Sequence, residues 1–223
     1  MKVSNILSLM GAAALAATTS AFGLSYNANT DGLTAPAGVT MTGYSGAMVR
    51  DLGLKTENNW TTIGVKGGAA ANEIGIGERL EVVFANPMHV TSLTLGLLFN
   101  GDEYNDWQEI AVATLLGTLT EYTLTALTNT DATWSGGAPA TNLDAAISGK
   151  AAVWQIQNPF GNMAINGFVL TPRNNPQAPR GRNGSDFGLQ AFTTASVRVA
   201  DMTSTWALAS LSVAGLLALK RRR

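Results

Sequence analysis

Arg79-Leu80-Glu81-Val82-Val83-Phe84, followed after Asn86-Pro87 by Ser92-Leu93-Thr94-Leu95-Gly96-Leu97-Leu98-Phe99, is the stretch that decides the fold class. Leu80, Val82 and Phe84 fall on one side of an extended chain, Arg79 and Glu81 on the other. Leu93, Leu95, Leu97 and Phe99 alternate in the same way with Ser92, Thr94 and Gly96. A period of two marks strands with one buried face. Asn86-Pro87 reads as a turn, since proline has no N–H to give to a ladder. The stretch therefore predicts two strands, Leu80 to Phe84 and Leu93 to Phe99, in one core.

Working outward, strand patterns recur at Trp60 to Val65, Ile110 to Leu116, Leu119 to Leu127, Val153 to Gln157, Ile165 to Thr171 and Phe187 to Val197, most of them rich in Thr, Val or aromatics. Turn signals at Gly67-Gly68, Asn100-Gly101, Gly136-Gly137, Asn158-Pro159 and Asn183-Gly184 separate them. One short helix is expected near Asn142 to Ile147. The absence of any βαβ rhythm predicts an all-β fold, an antiparallel β-sandwich of jelly-roll type over residues 47–198, preceded by an extended lead-in over 22–46.

Composition agrees with that class and excludes others. Only 13% of the 223 residues are charged, about half the usual share, while 46% are hydrophobic and 24 are glycine. No cysteine is present, which removes disulfides, thiolate metal sites and Cys nucleophiles. Five of the 14 Lys and Arg and one of the 15 Asp and Glu lie in the terminal segments, so residues 22–198 hold nine basic and 14 acidic residues, a net charge of −5. A body of that sign is no partner for nucleic acid.

The ends carry address-like patterns. Lys2 precedes an apolar stretch from Ile6 to Ala17 and a small-residue exit, with Thr19 and Ala21 at the cleavage positions: a secretory signal peptide over residues 1–21, too short for a full span. A retained anchor is the competing reading. At the other end, Trp206, Leu208, Leu211, Val213, Leu216, Leu217 and Leu219 make an apolar block that runs straight into Lys220, Arg221, Arg222 and Arg223. Such a block predicts a transmembrane helix whose basic end stays on the cytoplasmic side as a stop-transfer cluster. From Trp206 to Leu219 it covers about 21 Å against a core of about 30 Å, a marginal span. A plain tail anchor is the alternative.

The segment just before this block, Val199-Ala200-Asp201-Met202-Thr203-Ser204-Thr205, resembles the Val-Pro-Asp-Ser-Gly-Ser-Thr opening of the VPDSG-CTERM variant of PEP-CTERM sorting signals. Val199, Asp201, Ser204 and Thr205 agree in register; Ala200, Met202 and Thr203 depart from it. With the block and the basic end the resemblance covers 199–223. It implies recognition by an exosortase, a membrane-embedded protease or transpeptidase of Gram-negative bacteria that make exopolysaccharide. The implied route is export through the secretion translocon, transient anchoring in the inner membrane, then release to the cell surface or the medium. The body is similar to the β-sandwich passengers of such tails, on Asn72-Glu73-Ile74, Gly77-Glu78, Leu93 to Phe99 with Asp102-Glu103-Tyr104, and Trp154 to Gly161. That implies a surface or matrix protein.

The densest polar group is Asp102, Glu103, Tyr104, Asn105, Asp106, Trp107, Gln108 and Glu109. Asp102, Glu103, Asp106 and Glu109 are hard oxygen ligands that, joined by Asn72, Glu73 or Glu78, suit Ca²⁺, and Tyr104 and Trp107 could stack on a sugar ring. The spacing lacks the Asp-x-Asp-x-Asp-Gly order of an EF-hand. The alternative is a solvated acidic loop with Trp107 and Ile110 turned inward. No catalytic set is expected: His89 is the only histidine and reads as a strand residue, and Gly-x-Ser-x-Gly is absent. Arg173, Arg180 and Arg182 form a small basic patch in the loop 172–186. The sequence thus leads to three readings: a structural or adhesive matrix protein without enzymatic activity or an assured cofactor, a Ca²⁺-dependent carbohydrate-binding module, and a polysaccharide-cleaving enzyme.

Overall fold

The structure, a computed structural model, describes residues 23–67, 70–101, 107–179 and 184–197. The expected signal peptide, the sorting segment, the apolar block and its basic end lie outside the described residues, as do Asp102 to Asp106. The described chain is all-β apart from α1 (Ala28–Asp31), with thirteen strands in antiparallel pairing. They are β1 (Ser25–Asn27), β2 (Val39–Ser45), β3 (Met48–Arg50), β4 (Leu52–Glu57), β5 (Trp60–Val65), β6 (Glu78–Gly96), β7 (Ile110–Leu115), β8 (Glu121–Ala126), β9 (Ala132–Trp134), β10 (Ala140–Asp144), β11 (Val153–Gln157), β12 (Ile165–Arg173) and β13 (Gly188–Ser196).

The stretch read as two strands and a turn is one strand of 19 residues. Its two halves have different neighbours. Glu78 to Phe84 pairs with β2 on one side and β12 on the other, whereas Ser92 to Leu95 lies between β13 and β11. From β12 the sheet continues through β7 and β8 to β9, and from β13 through β5 to β4. Ala85, Asn86 and Pro87 are exposed where the β2 pairing ends at Phe84 and the β13 pairing begins at Met88. Pro87 thus sits where no ladder asks for its N–H, and the strand continues through it.

The change of phase from Leu80, Val82 and Phe84 to Leu93 and Leu95, which suggested the turn, has another cause. Thr193 pairs with Ser92 and the next residue, Thr194, with Val90, so exposed Thr91 is an extra residue on β6. This β-bulge moves the core-facing set by one position. Met88 and Val90 keep the first phase and are buried; Leu93 and Leu95 take the second and are fully buried.

Side chains from the two halves meet in one core. Phe168 of β12 packs against Phe84 at 6.1 Å between ring centroids, Phe160 at 5.9 Å and Phe192 of β13 at 6.2 Å, mostly tilted or edge to face. Tyr26 of β1 stacks on Phe192 at 5.6 Å. Strands that do not pair with each other are therefore in ring contact across the interior, an arrangement consistent with a β-sandwich. Gly167 allows this closeness within the sheet: its φ is +148°, and a Cβ there would collide with the Val82 carbonyl oxygen.

Two expectations need correction. Asn142 to Ile147 is not helical: Asn142 to Asp144 belongs to β10 and pairs with β11, leaving Leu143 and Ile147 exposed. The lead-in 22–46 contributes β1 and β2, and β2 forms seven register pairs with β6, so the sheet begins well before residue 47. Strands β3, β4 and β9 had no counterpart in the sequence reading. The β4–β5 turn is Asn58-Asn59, both at positive φ (45° and 67°), as a two-residue hairpin with primed geometry requires.

Candidate functional site

In the β4–β5 hairpin, Leu54 pairs with Ile63 and Leu52 with Val65, and Ile63 and Val65 face the core. Gly53, Lys55, Thr62 and Gly64 therefore face the other way. Across that face runs a strap, residues 70–77. A Cβ on Gly64 would collide with the backbone of Asn72 and Glu73, and one on Gly53 with the side chain of Asn72. The two glycines leave a trough into which the strap sinks. Val65 N–H donates to the Glu73 carbonyl at 3.0 Å and Ile74 N–H to the Phe187 carbonyl at 2.7 Å. Glu73, only 4% exposed, is thereby carried under the surface beside Lys55.

There the Lys55 ammonium donates to Glu73 Oε2 at 2.7 Å. Asp186 is the second carboxylate beside this pair, near enough for its charge to act on Glu73 and for the Lys55 cation to act on it. Burial pushes Glu73 up, to about 8; the Asp186 charge pushes the same way and Lys55 opposes. Burial likewise raises Asp186, against the pull of Lys55 and Glu73, with the Glu78 charge adding to the rise. Burial alone would lower Lys55, but its hydrogen bond and attraction to Glu73 outweigh it and raise the ammonium.

Two further carboxylates surround this set. Glu78, 5% exposed, accepts from Gly75 N–H at 2.9 Å through Oε2, while its buried Oε1 has no hydrogen-bond partner. Glu109, 1% exposed, accepts from Asp186 N–H at 2.9 Å through Oε1 and from Phe99 N–H through Oε2. Next to Asp186, Ser185 Oγ donates to the Arg173 carbonyl at 2.8 Å and accepts from Ile110 N–H at 3.0 Å. The carboxylates thus tie the strap to the segments preceding β7 and β13.

The sequence reading grouped Glu109 with Glu73 and Glu78, and the structure links them through Asp186, which it had not singled out; Lys55 was missed too. Asn72 packs on the hairpin, donating to the Leu54 carbonyl at 3.2 Å. Trp107 does not turn inward: it is 38% exposed, and its carbonyl accepts from Asn175 Nδ2 at 3.4 Å. Ile110 is half-buried. His89 is a β6 residue, as expected. Arg173 pairs on the surface with Glu121 at 2.6 Å.

Among the described residues no group of three or more His, Asp or Glu is disposed to hold a metal ion, and no helix is long and apolar enough to cross a membrane. Comparison with protein-family models, with curated proteins and with solved structures returned no match.

Proposed function

We propose that the chain is a secreted, exosortase-processed β-sandwich of jelly-roll type, with a structural or adhesive role in an extracellular polysaccharide matrix and no catalytic activity. The observation that carries this reading is the character of the sheet's outward positions. Thr40 and Thr42 of β2, Thr114 of β7, Thr123 and Thr125 of β8 and Thr171 of β12 alternate with core residues such as Met41, Ala113, Leu124 and Leu170. Neutral hydroxyls at these outward positions meet a hydrated polymer without demanding counter-charges. The terminal patterns, Thr19 and Ala21 at one end and Val199 to Arg223 at the other, supply the route.

One observation favours the carbohydrate-binding alternative: exposed Trp107 lies beside the Asp102 to Asp106 segment, and an exposed indole is a stacking surface for a sugar ring. Titration calorimetry of the secreted protein against the native exopolysaccharide, with and without a calcium chelator, separates the readings. A matrix role predicts association that chelator does not alter. Saturable binding abolished by chelator and by Trp107→Ala would replace it with the module, and new reducing ends in the polymer would replace it with the enzyme.

A further inference from the structure

We infer that Asn59, at the tip of the β4–β5 hairpin, is an acceptor for N-linked glycosylation, taking a preassembled oligosaccharide from a lipid-diphosphate donor. The inference rests on the export proposed above, because such donors are met outside the cytoplasm, and it is independent of any matrix role.

Glu57-Asn58-Asn59-Trp60-Thr61 carries the pattern. An Asn two places before a Thr, with no proline between them, is the acceptor triplet of N-glycosylation. Bacterial transferases also ask for an acidic residue two places before the Asn, and Glu57 stands there. It is half-buried and makes no salt bridge among the described residues, so its charge is available for recognition. The chain has one other triplet, Asn183-Gly184-Ser185, with Gly181 at the acidic place. Asn183 lies outside the described residues, but Ser185 is 3% exposed and its hydroxyl is taken, donating to the Arg173 carbonyl and accepting from Ile110 N–H. Of the two, Asn59 is the one with both the carboxylate and an accessible triplet.

Local structure puts this acceptor in the open. The last register pair of the hairpin is Glu57 with Trp60, so Asn58 and Asn59 alone make the turn. Both are exposed, in a left-handed backbone geometry that asparagine adopts more readily than most residues. Their carboxamides differ. Asn58 Nδ2 donates to Asp144 Oδ2 at 3.0 Å, whereas the Asn59 carboxamide makes no hydrogen bond to the described residues and only its backbone carbonyl is engaged, accepting from Asn29 Nδ2 at 3.2 Å. Trp60 packs half-buried against the core and anchors the middle of the triplet; Thr61 follows at the start of β5, its Oγ1 2.9 Å from that of Thr56. Asn59 Nδ2 is thus an unengaged amide at a projecting tip. Transfer joins it to the anomeric carbon of the donor's first sugar as the bond from that carbon to the diphosphate breaks. The lipid diphosphate leaves with the electron pair, and one amide proton passes to a base of the transferase. The backbone is untouched, so the turn and the β4–β5 ladder survive the reaction, and the bulky, hydrated group is added where solvent already stands.

The test is to produce the full chain in a bacterial periplasm together with a bacterial N-oligosaccharyltransferase and its lipid-linked oligosaccharide, and to read the tryptic peptide 56–66 by mass spectrometry. A proven acceptor protein in the same cells reports that transfer works. Peptide 56–66 should gain the mass of one whole oligosaccharide. The gain should disappear in Asn59→Gly, which suits the positive φ of the turn, in Thr61→Ala and in Glu57→Gln. Loss of residues 1–21 reports export independently; should the chain's own signal fail, the chain from Phe22 onward behind a proven signal peptide gives the same readout, so failure of the export reading is not mistaken for failure of this one. An unmodified Asn59 in exported chain beside a modified control, a gain that survives Thr61→Ala or Glu57→Gln, or a gain that falls on peptide 183–198 instead overturns the inference.

Discussion

Truncation of Phe168 puts the two halves of β6 to the test. Phe168 of β12 is fully buried, its ring in contact with Phe84, Phe160 and Phe192. Phe168→Ala removes a core aromatic at a cost of about 3–5 kcal/mol, a large part of the roughly 5–15 kcal/mol that holds a domain together. At about 2–4 °C per kcal/mol for a domain of this size, Tm should fall by roughly 6–20 °C. Phe192→Ala on β13 should cost a similar amount. Phe168 and Phe192 lie on strands that do not pair with each other, so their ring contact is a core contact and not part of a strand ladder. The double variant should then be more stable than additivity predicts, by about 0.5–1.5 kcal/mol. Urea unfolding of the four proteins with a common slope gives these values. Single costs under about 1 kcal/mol, or strict additivity, would refute the reasoning. Leu119→Ala, at an 83% exposed position, should change stability by no more than about 0.5 kcal/mol.

Other sites give independent checks. Gly64→Ala should displace the strap, lowering stability by about 1–3 kcal/mol and raising amide exchange at Glu73 and Ile74. Global stability should fall as pH rises from the ordinary Glu value of 4.5 towards about 8, by at most ~1.4 kcal/mol per unit, because the folded state binds the extra proton; Asp186→Asn should flatten that slope in pH-dependent urea melts. Asp144→Ala removes the acceptor for Ala151 N–H at 2.8 Å and Asn58 Nδ2 at 3.0 Å, and should cost about 1–3 kcal/mol in thermal unfolding.

Period-two alternation made β5, β11, β12 and most of β13 legible, because each has one face in the core and a turn residue close by. It failed in β6 for a definable reason: a shift of phase looks the same whether a turn or a bulge produces it, and only the β13 register distinguishes them. At Asn142 to Ile147 the apolar pair Leu143 and Ile147 has helical spacing, yet neither is buried, and pairing with β11 overrides that local preference. β4 was hidden by Gly53, whose lack of a side chain weakens the strand pattern while making room for the strap.

Carboxylate density in the sequence drew Glu73, Glu78 and Glu109 together without showing how each is held. Glu109 reads as a surface ligand and is instead held by two backbone N–H groups. Lys55 and Asp186 carry no local signal, since their roles arise only when the strap crosses the hairpin and β13 brings Asp186 to meet it.

The proposed export and trimming at both ends are tested most directly by mass spectrometry of the protein recovered from the culture medium. A chain that begins near Phe22 and ends close to Val199 is the predicted result; an extracellular product that still carries Arg223 would contradict it.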